Sequence, residues 1–393
     1  MRVLAIRLAA VQVAAGLLGG AYLPFFSPFL AARGLSASNI GLLLASATFL
    51  RIVIAPLAGI VADARGDRRL VMLGFTAFAF AGFAALIGVH EPQALFITAV
   101  IALVLSGSTS PILESVTLRA AERAGTAYGR VRVWLSIAFV AGNILSGLAA
   151  ARFGFDVIAF WLAASAGLQL AAIVGLPVEE KPEGGSFALH FRSTFAEARE
   201  LLSHPVFLAF LTVASLIQGS HIVYYTYAGL FWRTAGMSPT LIGFIWPLGV
   251  LAEILLFVFS ARVVRRIDAV TLLAAGALAC MVRWALMAFE PDLPLLLFAQ
   301  LLHGFTFAVP HLGAMYFILR ATPPRLAATA QSLYSVSIGL VSSVALLPAG
   351  YFFAAWGSNI FFLMSGMAAL AALLSRALRT HWHGGRLTEQ AVH

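Results

Sequence analysis

The sequence predicts an all-α membrane protein of twelve transmembrane helices in two six-helix halves, with both termini cytoplasmic. Three observations predict it. Of 393 residues, 61% are hydrophobic and 10% charged, where soluble domains carry about 25% charged residues. Apolar stretches of about eighteen residues or more recur along the whole chain, each long enough to cross a bilayer. The positive charges gather in alternate short loops, which sets an orientation.

The spans fall at about 8–32, 39–62, 70–89, 93–118, 131–151, 156–176, 205–231, 239–261, 269–289, 293–319, 326–353 and 358–378. Arg2 and Arg7 ahead of an apolar run could open a signal peptide. The run Leu8–Ala32 contains Pro24 and Pro28 and far exceeds the about 7–15 residues of a signal core. It is therefore read as a retained first helix. The first half covers 1–176 and the second 205–393 with a short basic tail. Between them, 177–204 is a cytoplasmic linker. There Phe187, Phe191, Phe195 and Leu202 share one helical stripe, so the piece either lies along the membrane surface or is a plain tether. With the N-terminus inside, twenty Lys and Arg fall in inside segments or at the inside ends of spans, and three, Arg33, Arg152 and Arg233, outside.

The net charge of +9 could signal nucleic acid, but its placement in inter-span loops speaks for topology and against that partner. Cys280 is the single cysteine, so no intrachain disulfide and no cysteine-based metal site forms. An ATP-driven pump needs a Walker lysine; the only lysine, Lys181, precedes Pro182. A prenyltransferase would want two acidic clusters, and Asp63 and Asp67 stand alone among arginines. The chain is thus expected to be no enzyme, with no catalytic residue, metal or cofactor. Its partners are a small-molecule substrate, protons and the lipid bilayer, and it acts as a monomer.

Six spans, a linker and six spans is the plan of a secondary transporter built from parallel repeats. The repeat is visible in "SASNIG" (36–41) against "SPTLIG" (238–243), and in "LAARGLS" (30–36) against "FWRTAGMS" (231–238).

"GIVADARGDRR" (59–69) resembles the loop pattern G-x-x-x-D-R-x-G-R-R of the major facilitator superfamily. Gly59, Asp63, Gly66, Arg68 and Arg69 match; Ala64 and Asp67 depart from it. The resemblance implies a charge clamp that holds one conformation of the transport cycle, against a simple solvated charge cluster. "GGAYLPFFSPFLAARGLS" (19–36) looks like the first helix of proton symporters near lactose permease. "AYGRVRVWLSIAFVAGNILSG" (127–147), "LIQGSHIVYYTYAGLFWRTAG" (216–236) and "IGFIWPLGVLAEILLF" (242–257) are similar to the phenylpropionate permease branch. The resemblance implies the major facilitator fold, a multi-pass protein of the bacterial inner membrane, and proton-coupled uptake of a small aromatic monocarboxylate such as 3-phenylpropionate. Sugar or nucleoside symport remains an alternative. So does drug–proton export, although the G-P-x-x-G-G run of exporters is missing from span five.

Ionisable residues at membrane depth cost about 2.5–3.5 kcal/mol each on insertion scales and mark function. Glu114 shares a polar stripe with Ser106, Ser110 and Thr117 in span four. The resemblance to lactose permease-like proteins implies that it pairs across the cavity with Arg132, unless that arginine, near the start of span five, is cytoplasmic. Glu253 and Arg283, on adjacent spans, form either a static pair or a proton-coupling one. His303 and His311 are about 12 Å apart along the helix axis, and one or both join that network. Pro310 loosens the helix between them. Proton coupling is therefore assigned to Glu253, Glu114, His303 and His311. Substrate contact is assigned to Arg51, Arg283, Gln218, His221, Tyr225 and Trp246, with packing as the bland alternative for the aromatic rings. Gln218, His221 and Tyr225 fall within about 60° of each other on one face of span seven.

Overall fold

The computed structural model describes residues 2–65, 67–123, 128–176, 187–259, 264 and 266–387. Among them the chain is almost entirely helical, as a bilayer requires when every backbone N–H and C=O must find its partner within the protein. Eleven stretches among the described residues are long and apolar enough to cross a membrane. The last, Pro324–His381, is 58 residues long and holds two helices, Ala327–Trp356 and Ile360–His381, joined at Gly357–Asn359.

Contacts divide the chain into two compact units. The first is Met1–Leu189 with Tyr225–Pro247, the second His190–Tyr224 with Leu248–His393. In the first unit lie α1 (Arg2–Ala32), α2 (Ala37–Arg65), α3 (Arg68–Gly88), α4 (Pro92–Ser108), α5 (Ser110–Arg123), α6 (Tyr128–Phe153) and α7 (Val157–Val174). Helix α8 (Phe187–Leu202) follows, with Phe195 and Leu202 exposed. Then come α9 (Pro205–Gly219), α10 (Ile222–Thr234), α11 (Pro239–Val258), α12 (Ala269–Ala288), α13 (Leu293–Leu301), α14 (Val309–Ala321), α15 (Ala327–Trp356) and α16 (Ile360–His381).

In the first unit α1 packs on α6 and α7, and α3 on α4 and α7. Small residues make the tightest crossing. A Cβ on Gly16 would stand 2.4 Å from the Leu135 carbonyl oxygen, and one on Gly20 2.4 Å from that of Phe139. Glycine at i and i+4 lets the two backbones touch, the usual means of packing helices in lipid. Arg33 closes one end of this bundle. Its Nη1 donates to the carbonyls of Leu86 and Val89 at 2.9 and 2.6 Å, and its Nε to Asp156 Oδ1 at 2.7 Å.

The repeat seen in the sequence is real at the level of the turn. Gly34 and Gly236 take φ of +90° and +87°, a conformation that favours glycine. Ser36 and Ser238 then accept from the N–H groups of Asn39 and Leu241, each at 3.2 Å, and so cap the helices that follow. Acids do the same work elsewhere. Asp67, the departure from the loop pattern, caps α3 by accepting from Leu70 N–H at 2.9 Å. Glu91 caps α4, and the N–H groups of Ala94 and Gln93 hold its carboxyl below the usual carboxylate range.

Three predicted spans are interrupted. The fourth breaks at Thr109, between α4 and α5, just before Pro111. The seventh breaks at Ser220–His221, between α9 and α10. The tenth passes through a π-helical turn, Gly304–Ala308, ahead of Pro310. Proline cannot donate to the carbonyl four residues back. That of Thr306 instead accepts from the Cys280 thiol at 3.5 Å. Each break lies beside a polar cluster, as broken helices at transporter sites do.

Candidate functional site

The second unit buries a cation. Arg283 on α12 is wholly inaccessible to solvent. Its Nε donates to the Ala299 carbonyl at 2.8 Å, its Nη2 to Gln300 Oε1 at 3.2 Å, and its Nη1 to Thr306 Oγ1 at 3.3 Å and His303 Nδ1 at 2.9 Å. The guanidinium carbon stands 4.7 Å from the ring centres of both Tyr224 and Trp284, a favourable place for a desolvated cation.

These contacts fix the histidine tautomers. A guanidinium only donates, so His303 Nδ1 must be the accepting nitrogen and the ring proton sits on Nε2. That nitrogen lies 3.9 Å from Glu253 Oε2. His303 thus offers one ring nitrogen to Arg283 and turns the other toward Glu253. His221 is the opposite tautomer. Its Nδ1 lies 3.1 Å from the Ile217 carbonyl and must donate, which leaves Nε2 to accept from the Thr306 hydroxyl at 3.2 Å. Tyr224 donates to Gln300 Oε1 at 2.8 Å. With two donors on that oxygen the Gln300 amide cannot flip, and its buried Nε2 has no hydrogen-bond partner.

Glycine sets the approach of Glu253 to His303. A Cβ on Gly249 would stand 3.0 Å from that of His303, and one on Gly304 2.9 Å from the Ala252 carbonyl oxygen. The two missing side chains let α11 lie against the π turn.

The first unit holds a different kind of site, a cavity of about 210 Å3 whose wall includes Tyr22, Arg51, Ser106, Ser110, Glu114 and Gln169. Glu114 accepts from Arg132 Nε at 2.9 Å, both side chains being a third or more exposed. Arg51 is exposed and packs over Gly107, where a Cβ would stand 2.7 Å from Arg51 Cδ. Among the described residues Arg51 makes no hydrogen bond and no ion pair. Of the polar stripe expected in span four, Ser106, Ser110 and Glu114 line the cavity. Thr117 is buried instead, accepting from Gln12 Nε2 at 3.0 Å.

The remaining expected residues lie as follows. His311 stacks on Phe307 at 6.1 Å and meets Phe257 edge-on at 6.3 Å, outside the Arg283 cluster. Gln218 Nε2 donates to the Phe307 carbonyl at 3.4 Å. The helix is interrupted at Ser220–His221, between Gln218 and Tyr225, and Tyr224 joins the cluster through Gln300. Tyr225 is half-buried in the first unit, where Trp246 is buried and meets Trp232 edge-on at 5.7 Å. In the loop motif, Arg69 donates to the carbonyls of Ile173 and Val174 at the end of α7, at 3.3 and 2.5 Å. Arg68 is buried, and a Cβ on Gly59 would meet open space. Gly66 and the side chain of Asp63 lie outside the described residues.

Thr306, Gln300, Tyr224 and Gly304 were not singled out from sequence. Their signal was present: Gln300, His303 and Thr306 recur every three residues, a polar stripe in an otherwise apolar span.

Comparison with known proteins agrees with this architecture. Residues 16–364 match the model of the MFS_1 like family. The chain is 30% identical over 370 residues to the probable 3-phenylpropionic acid transporter of Escherichia coli, covering 91% of this chain and 93% of that one. It is 26% identical over 359 residues to the maltose permease of Geobacillus stearothermophilus, covering 90% and 89%. Among solved structures, the nucleoside transporter NupG superposes with a TM-score of 0.80 at 16% identity, over 96% of this chain and 99% of that one.

Proposed function

We propose that this chain, which belongs to the MFS_1 like family and is a membrane transporter rather than an enzyme, imports a small aromatic monocarboxylate together with a proton. Its substrate class is that of 3-phenylpropionate, and it works by alternating access of twelve membrane helices with both termini in the bacterial cytoplasm. The observation that carries the reading is His303, whose Nδ1 accepts from Arg283 at 2.9 Å and whose Nε2 lies 3.9 Å from Glu253 Oε2. The permanent cation prevents His303 from taking a second proton without losing its bond to Arg283. Glu253 is then the group that loads the proton.

The charge balance follows. While Glu253 is ionised, its negative charge answers the buried guanidinium. Once it is protonated, the cluster favours another anion, and a substrate carboxylate restores neutrality. One proton and one carboxylate enter together, so transport is electroneutral. Two further features support an anionic substrate. Arg51 faces its cavity with no partner among the described residues, and arginine binds carboxylates through two parallel bonds. Gln300 Nε2 is a buried donor awaiting an acceptor.

A second reading is symport of a sugar or nucleoside. The Glu114–Arg132 pair and the serines of the first-unit cavity could hold hydroxyl groups. Proteoliposomes with an inward proton gradient decide between the two when offered labelled 3-phenylpropionate, maltose and uridine. Gradient-driven accumulation of the aromatic acid alone, independent of membrane potential, supports the proposal. Accumulation of maltose or uridine instead refutes it.

A further inference from the structure

A second cleft, of about 480 Å3, opens in the second unit where three membrane helices end. Its wall joins the residues before α12 (Arg266, Asp268), the last turn of α14 (Tyr316, Arg320) and the end of α16 (Arg379, Trp382). No part of it belongs to the Arg283 cluster or to the first-unit cavity.

Its charge is lopsided, with three arginines facing one acid. Arg379 is answered by Asp268, at 3.1 Å, and by the Thr271 hydroxyl. Arg320 has a neutral partner, the Tyr316 hydroxyl at 2.7 Å, and lies over that ring. Arg266 makes no side-chain hydrogen bond or ion pair among the described residues. Arginines in the last turns of α14 and α16 also complement the helix dipoles. That accounts for Arg320 and Arg379 but not for Arg266, which precedes a helix N-terminus. The aromatic lining points to the bilayer. Trp382 is buried against Phe317, ring centres 4.5 Å apart, and its indole N–H donates to the Gly385 carbonyl at 2.9 Å. The chain turns at Gly384, φ +96°, which keeps Trp382 and His383 at the mouth. Ile267 supplies an exposed apolar rim.

We propose that this cleft binds the phosphate of an anionic phospholipid headgroup, with Arg266 and Arg320 as its principal ligands. Guanidinium groups match phosphate oxygens in pairs, tryptophan favours the membrane interface, and basic pockets between helix ends select anionic lipids. A soluble phosphate compound would use the same arginines but would have no need of the apolar rim.

The test is native mass spectrometry of the purified full-length chain with phosphatidylglycerol or phosphatidylcholine. It compares the wild type, the double variant Arg266→Gln/Arg320→Gln, and Arg376→Gln. Arg376 is exposed on α16 and takes no part in the cleft. The expected result is preferential retention of phosphatidylglycerol by the wild type and by Arg376→Gln. Retention falls about fivefold for each cleft arginine removed, and millimolar inorganic phosphate does not displace the lipid. Equal retention by wild type and double variant overturns the site. Displacement by inorganic phosphate, with the same dependence on the arginines, overturns the lipid assignment in favour of a soluble phosphate ligand. Thermal unfolding of each variant confirms that the exposed substitutions leave the fold intact.

Discussion

The two units place their charged residues in opposite settings. In the second, Arg283 is sealed from solvent and its guanidinium donates to neutral groups, the Ala299 carbonyl, His303, Thr306 and Gln300. In the first, Arg51 stands exposed over a cavity with no partner among the described residues, beside a half-open Glu114–Arg132 pair. A buried, fully bonded cation shapes its surroundings and resists change. An exposed one is available. On the proposed function, the contrast separates two tasks: holding a proton-sensitive equilibrium, and meeting a substrate.

Substitution breaks this comparison most sharply at Arg283. Arg283→Met strips a partner from His303, Thr306, Gln300 and the Ala299 carbonyl, and should cost about 3 kcal/mol or more of stability. Thermal unfolding in detergent would register it, and uptake would be lost; an unchanged midpoint would deny the cluster its structural role. Gly304→Ala comes next. Its new Cβ meets the Ala252 backbone, which cannot swing aside as a side chain can. The strain should be about 1–3 kcal/mol, with proton-driven accumulation falling more than downhill exchange as Glu253 moves off His303. Arg51→Gln should behave in the opposite manner. Unfolding stays within about 0.5 kcal/mol of wild type, while KM for an aromatic acid rises about tenfold or more. A loss of stability at Arg51, with KM unchanged, would erase the distinction between the two regions. The smallest effect belongs outside both. Glu200 pairs with Arg325 through two bonds of 2.5 and 3.0 Å, both side chains exposed. Glu200→Gln should shift stability by less than about 1 kcal/mol and leave uptake alone.

Much of this was legible in the sequence, because a bilayer leaves few options. Long apolar runs gave the spans, and the serine–glycine turns gave the repeat down to Gly34 and Gly236. Rare charges in apolar surroundings singled out Arg51, Glu114, Glu253, Arg283 and His303. What could not be read was the local break. Helical periodicity assumes an unbroken helix, and on that assumption Tyr225 shares a face with Gln218 and His221. An interruption at Ser220–His221 lies between them, and Tyr224 is the residue that bonds Gln300. The π turn at Gly304–Ala308 likewise depends on a partner helix close enough to touch, a tertiary fact with no local signature beyond Gly304 and Pro310. Thr306 and Gln300 carry no charge to set them apart in an apolar span, yet both accept from the buried cation.

The central claim is that Glu253 carries the coupling proton while the Arg283–His303 bond holds the site in readiness. Its most direct test is Glu253→Gln in proteoliposomes, measuring 3-phenylpropionate accumulation driven by a proton gradient alongside exchange across a membrane with no gradient. The account predicts that accumulation disappears while exchange persists at a rate near that of the wild type. Undiminished gradient-driven accumulation by Glu253→Gln would contradict it and move the proton to another group.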